Sequence, residues 1–310
     1  MSDTTASRLE RWRERFRTRP GRLVGPGALA YLAMLGPGLI AANAGNDAGG
    51  VTTYSVVGAK YGYSLLWVLL PMTISMAVVQ EMAARMGAVT GKGLSDLIRE
   101  QFGVRWTAFA MLVILIANAG TVIAEFAGIA AALGLFQIPR WVATPIAAGV
   151  VLFLVTRGSY RRVERIFLAL TTVFLAYVGA AFLAHPDWGE VARATVVPTW
   201  QWDPEFLFVF VALVGTTIAP WMQFLLQSSV VDKGVTVAHY GLQRFDAVLG
   251  AFLSNCVTFF IIVATAATLH VAAVQVETAQ DAALALQPIA GQYAYLLFAI
   301  GLLGASLIGA

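Results

Sequence analysis

The sequence predicts an all-α, polytopic membrane protein, and three observations predict it. Hydrophobic residues make up 59% of the 310 positions and charged residues only 12%, about half the charge fraction of a soluble domain. The apolar residues fall into eight segments that reach, or nearly reach, the roughly 20 residues a bilayer requires. The basic residues collect between alternate segments, as they do in loops on one side of a membrane. The net charge of +3 therefore reports topology rather than affinity for nucleic acid.

Residues 1–28 form a basic segment, and 29–310 form the transmembrane domain. The arginines of the first part read as a solvated topology anchor. The first span, 29–57, is too long for a cleavable signal peptide and lacks a small-residue cleavage pattern. Its one charge is Asp47. The second span, 64–89, carries Glu81 and Arg85, which are four residues apart and pair along one helix face. The third, 106–136, carries Glu125. The fourth, 141–155, is short, and the fifth covers 166–184. The sixth, 206–231, contains Pro220. The seventh, 242–274, holds Cys256, the one cysteine, so no disulfide within the chain and no Cys/His metal cluster is expected. The eighth, 289–310, is apolar to its last residue, which predicts a truncated reading frame or a fragment. His185, His239 and His270 fall at span ends or in loops, where an interfacial or solvated role is the default. Asn118, Asp246 and Asn255 read as contacts between helices.

A cytoplasmic N-terminus places sixteen basic residues on one side, among them Arg8, Arg22, Lys92, Arg105, Arg162, Lys233 and Arg244. The other side then carries Lys60, Arg140 and Arg193. That asymmetry orients the chain and supports the span count.

Two spans are interrupted. Asp47 lies at mid-span in Asn46-Asp47-Ala48-Gly49-Gly50. A carboxylate there is costly unless it meets an ion, a partner or a cavity. The glycines let the helix unwind and present backbone carbonyls. The bland alternative is a carboxylate that caps a half-helix or pairs with an arginine. The second break is Gly215-Thr216-Thr217-Ile218-Ala219-Pro220. Pro220 disrupts the turn before it, which leaves carbonyls from Thr217 to Ala219 available. Gln223 and Gln227 share a face one turn on. Gln223 either reaches the cavity or bonds a neighbouring helix. Paired broken helices are the sequence mark of a transporter's midplane site, and oxygen donors suit hard divalent cations. Glu125, also at mid-span, is either functional or held by a basic residue or backbone.

Further motifs carry a resemblance. Leu35-Gly36-Pro37-Gly38-Leu39-Ile40-Ala41-Ala42 precedes Asp47-Ala48-Gly49-Gly50. Gln80-Glu81-Met82-Ala83-Ala84-Arg85-Met86-Gly87 precedes Thr90-Gly91-Lys92. Ala124-Glu125-Phe126, Val214-Gly215-Thr216-Thr217-Ile218-Ala219-Pro220-Trp221 and Ser228-Ser229 follow. In order and spacing the chain resembles the Nramp family of divalent metal transporters. The resemblance implies a LeuT-like fold of two inverted five-helix repeats, with the first and sixth helices unwound at the midplane. Eight spans fall short of that pair, so the second repeat is expected to be incomplete.

The departures are specific. The family's Asp-Pro-Gly-Asn reads Asp47-Ala48-Gly49-Gly50 here, so Gly50 stands for a ligating asparagine. Its Met-Pro-His reads Ala219-Pro220-Trp221, so a thioether is absent and a wider, sulfur-free site is expected. Val122 and Trp221 replace residues associated with proton movement. This pattern resembles the Nramp-related magnesium transporter branch. It implies a transporter rather than an enzyme, with Mg²⁺, and also Mn²⁺, as substrate rather than cofactor. The expected metal site is Asp47 with Ala44, Gly50, Thr217, Ala219 and Gln223; Glu125, Pro220 and Trp221 are candidates for coupling or gating. The expected setting is a plasma (inner) membrane. The rival readings are a proton-coupled Mn²⁺/Fe²⁺ Nramp transporter, a sodium-coupled amino-acid symporter of the same fold, and a transport-dead fragment that only binds.

Overall fold

The computed structural model describes residues 45–157, 175–274, 276, 281–282, 291 and 294–309. The basic segment 1–28, the motif at 35–42 and the start of the fifth span lie outside the described residues.

The described elements are helical throughout. Helix α1 (Ala48–Tyr61) starts abruptly after a turn at Gly45–Asp47 and stops at Gly62. A short 3₁₀ turn (Leu66–Val68) leads into α2 (Leu69–Thr90). Gly91 ends α2 with φ of 64°, a left-handed conformation that favours glycine. Helix α3 (Leu94–Phe102) is short and amphipathic, and α4 (Val104–Gly134) is the longest. Helices α5 (Arg140–Arg157), α6 (Leu175–Leu183) and α7 (Trp188–Val196) follow. Asp187 caps α7 by accepting from the backbone N–H groups of Gly189 and Glu190. Helices α8 (Pro204–Thr217) and α9 (Pro220–Asp232) form one interrupted span. Helix α10 (Tyr240–Thr265) runs on into a π turn (Ala266–His270), and α11 (Ala294–Gly309) comes last.

Among the described residues, four stretches are long and apolar enough to cross a membrane: Leu66–Thr90, Val104–Gly134, Pro204–Asp232 and Val237–His270. They match the second, third, sixth and seventh expected spans. Hydropathy passed over α3 and α7 because their polar faces dilute the average.

Helix α2 packs against α10 and α9; α10 also packs against α1 and α6, and α4 packs against α11 and α5. The core joins Tyr54 and Val57 of α1 to Phe206 and Leu213 of α8, Ile261 and Ile262 of α10, and Leu302 of α11. Lipid tails are as apolar as these side chains, so close packing rather than water exclusion favours helix contact. Small residues permit it. A Cβ at Gly58 would overlap Thr265 Oγ1 and the Ile262 carbonyl, so α1 lies almost on the α10 backbone. A Cβ at Gly128 would overlap Ala48 and meet Ser306, so α4, α1 and α11 touch at one point. On the opposite face of α4, Phe109, Leu115, Ile116 and Ile123 are each more than 60% exposed. An apolar face of that kind is for lipid.

Candidate metal site

The start of α1 builds the first half of the site. Asp47 is its N-cap, and Oδ1 accepts the Gly50 N–H at 2.6 Å. The capping alternative is therefore real, but it occupies one carboxylate oxygen; an ionised carboxylate has about four acceptor positions. Asp47 is buried. Asn46 is pinned to α10: its Nδ2 donates to Ser254 Oγ at 3.1 Å, and its Oδ1 accepts from Thr258 Oγ1 at 3.2 Å. Tyr54, one face up α1, donates to the Gly45 carbonyl at 3.3 Å and lies 3.2 Å from Thr217 Oγ1. That hydroxyl also donates to the Leu213 carbonyl at 2.7 Å. Tyr54 thus joins the two interruptions.

Glu125 reaches the same helix start from α4. The Ala48 N–H donates to Glu125 Oε2 at 3.3 Å. The second oxygen, Oε1, receives no hydrogen bond among the described residues. The Asp47 and Glu125 carboxyl groups lie within reach of each other. The positive end of the α1 dipole and two backbone donors favour negative charge there. Ion pairs among the described residues are Lys60–Glu205, Arg85–Glu81, Lys92–Glu100 and Arg99–Asp96. None involves Asp47 or Glu125. Of the alternatives for Glu125, backbone contact is present, and no basic partner occurs among the described residues.

The second half is the break at Ile218 and Ala219. Ile218 ends α8, and its N–H donates to the Val214 carbonyl at 3.1 Å. Ala219 is extended (φ −75°, ψ 136°), and Pro220 opens α9 where its missing N–H costs nothing. The last carbonyls of α8, Thr217 included, are orphans of the helix end. The Ala219 carbonyl accepts from the Met222 N–H at 3.2 Å. In the orientation that satisfies its hydrogen bonds, Gln223 Nε2 donates to the Ala219 and Pro220 carbonyls at 2.8 and 2.7 Å. Gln223 therefore folds back over the break. Gln227 does something else: its Nε2 donates to the Lys92 carbonyl at 2.8 Å, tying α9 to the loop after α2.

Several expectations are adjusted by this geometry. Gly50 is a donor to Asp47 rather than an oxygen ligand, and a Cβ there would overlap the Gly45 carbonyl, so the turn itself demands glycine. Near Ala219, Met76 and Met222, both buried, pack with Ala251 against Ile218, Ala219 and Trp221. Val122 lines an open groove of about 630 Å³ between α4 and α5 with Ile123, Phe126 and Trp141. Ala44 lies outside the described residues. Tyr54 and Gly128 were missed; Tyr54 lies two turns after Asp47 on the same face, a signal that periodicity carries. Met76 had no sequence signal, because its place depends on the α2–α10 register. No group of three or more His, Cys, Asp or Glu residues that could hold a metal occurs among the described residues, so any ion here relies on one or two carboxylates and neutral donors.

The start of α1 and the α8–α9 break meet beside a buried acidic pair, in a chain with four helices long and apolar enough to cross a membrane among the described residues. Residues 38–310 match the model of the Nramp family, natural resistance-associated macrophage protein-like. The chain belongs to that family, whose members are transporters, for which metals are substrates. It is 33% identical over 288 residues to the divalent metal cation transporter MntH of Burkholderia ambifaria, covering 89% of this chain and 65% of that protein. It is 32% identical over 298 residues to MntH of Deinococcus radiodurans, covering 91% of this chain and 66% of that protein. The crystal structure of the Eremococcus coleocola manganese transporter, with a bis-isothiourea compound, superposes with a TM-score of 0.79 at 24% identity over 92% of this chain and 65% of that one. The fold is the LeuT-like one. The chain spans about two-thirds of the length of these relatives.

Proposed function

We propose that the chain carries divalent metal cations across the membrane by alternating access around Asp47. The observation that carries this reading is the meeting of two buried carboxyl groups, Asp47 and Glu125, with no cationic side chain paired to either among the described residues. Buried like charges require a proton or a cation between them. The Asp47 oxygen left over from capping is the charged ligand. The Thr217 carbonyl, the Gln223 amide oxygen and water complete the shell, with the Ala44 carbonyl as a further donor; the Ala219 carbonyl, already accepting two hydrogen bonds, is left out. Gly50 holds Asp47 in place. Both MntH relatives are named for divalent metal cations and the structural neighbour for manganese, which supports Mn²⁺ as a substrate. A site of few charges and exchangeable waters also admits Mg²⁺, which keeps much of its hydration shell.

The movement is not proton-coupled. Trp221 packs in an apolar cluster and Val122 lines the groove between α4 and α5, and neither side chain titrates. The gathering of basic residues on one set of loops supports a cytoplasmic N-terminus in a bacterial-type plasma membrane. Vesicles containing the chain test this. Mn²⁺ and Mg²⁺ should enter down their gradients while luminal pH stays constant; proton flux that tracks metal flux overturns the uncoupled reading, and absence of any divalent flux overturns the transport reading.

A further inference from the structure

The groove between α4 and α5 is lined by apolar side chains with two exceptions, Arg140 and Thr144. Arg140 is the first residue of α5. It enters no ion pair and no hydrogen bond among the described residues. Thr121 and Thr156, on the same two helices, return their hydroxyls to the carbonyl one turn back. Thr144 does not, and its hydroxyl is free among the described residues. An arginine stays charged at any physiological pH, and no carboxylate lines the groove to neutralise it. Trp141, beside it, is 77% exposed. A tryptophan next to an arginine at the end of an apolar helix marks the level of lipid headgroups. On α4 the lining runs from Ala130 back to Val122, a rise of about 12 Å, or two turns. Ile123, 71% exposed, joins it to the apolar outer face of α4.

We propose that this groove binds one anionic glycerophospholipid, with its phosphate on Arg140 and an acyl chain along α4. A guanidinium holds a phosphate through two parallel hydrogen bonds. An anionic headgroup leaves that pair neutral. A zwitterionic headgroup adds an amine, for which the groove offers no carboxylate. The Thr144 hydroxyl is a further donor for a headgroup or ester oxygen. The apolar lining suits an acyl chain, and the open side of the groove lets one enter from the bilayer. Glu125 lies between Val122 and Phe126 in sequence but is buried against the start of α1. A lipid in the groove therefore braces α4 beside the turn that carries the glutamate. The inference does not depend on Asp47 as a metal ligand.

Native mass spectrometry of the purified 310-residue chain in detergent tests it, with palmitoyl-oleoyl phosphatidylglycerol and the phosphatidylcholine of the same chains as probes. Wild type should retain phosphatidylglycerol more tightly than phosphatidylcholine. Arg140→Gln should weaken phosphatidylglycerol about fivefold, the effect of one basic residue near an anionic headgroup, and leave phosphatidylcholine within about twofold. Ala127→Phe fills the groove while Arg140 stays, and should weaken both lipids. Arg193→Gln removes an exposed arginine of α7, outside the groove, and should change neither. The three positions are exposed, so folding is not at stake. Equal losses in Arg140→Gln and Arg193→Gln, or no preference for phosphatidylglycerol in wild type, overturn the site. Loss of a dimer in Ala127→Phe without loss of lipid overturns it too, and gives the groove to a second copy of the chain.

Discussion

The backbone N–H of Ala48 donates to Glu125 Oε2 at 3.3 Å, so a glutamate from the middle of α4 sits on the first turn of α1. That turn is the one Asp47 caps. The contact explains why the acidic pair is tolerated: the helix start offers it oriented donors. It also gives Glu125 a role separable from its charge.

Replacing Glu125 by glutamine keeps an oxygen for the Ala48 N–H and removes one negative charge. We expect Glu125→Gln to fold with near wild-type thermal stability and to bind Mn²⁺ about tenfold more weakly, as one charged neighbour implies. Glu125→Ala strands the N–H and should lose a further 1–3 kcal/mol of stability, about the cost of an unsatisfied buried donor. Thermal unfolding in detergent and metal titration separate the two effects.

Gly50 is fixed by the turn it closes. Its Cβ would overlap the Gly45 carbonyl, so Gly50→Ala should open the turn and cost about 1–3 kcal/mol, as overpacking does. Gly50→Asn, which supplies the residue type expected of the wider family, should fail to tighten Mn²⁺ binding for the same reason. Tighter binding by Gly50→Asn would show that the turn yields easily.

At Gly128 the test concerns packing alone. A methyl there would overlap Ala48 and press on Ser306. Gly128→Leu should separate α4 from α1 and α11 and remove Glu125 from the site. A fall in melting temperature together with loss of metal binding is the expected outcome; unchanged binding would show that Glu125 is held from elsewhere.

Val122 lines the groove between α4 and α5, whose lining does not include Asp47 or Glu125. An aspartate introduced there faces that groove, so Val122→Asp should not create metal-driven proton flux in vesicles. Appearance of such flux would mean that the groove communicates with the site.

Much of this arrangement was legible in the sequence because its causes are local. A charge among apolar residues marked Asp47, and a proline before a half-helix marked the break at Ile218 and Ala219. Glu125 was visible as an isolated carboxylate, but not the Ala48 N–H that holds it, since those residues are 77 positions apart. Gln223 and Gln227 looked equivalent, being one turn apart; tertiary context separated them, one bonding the break and the other the Lys92 carbonyl. The surroundings of Ala219 were hidden for a related reason. Deleting a side chain at Ala219 says nothing of what neighbouring helices bring into the space, and α2 brought Met76.

The most direct test is titration of Mn²⁺ into wild-type chain and Asp47→Asn. Asparagine also caps helices well, so the variant keeps the Gly50 contact and loses only the charge. The account predicts an unchanged melting temperature in the absence of metal and Mn²⁺ binding weakened by about 100-fold, equivalent to about 2.7 kcal/mol. Asp47→Asn binding Mn²⁺ as tightly as wild type would contradict it and leave Asp47 as a helix cap.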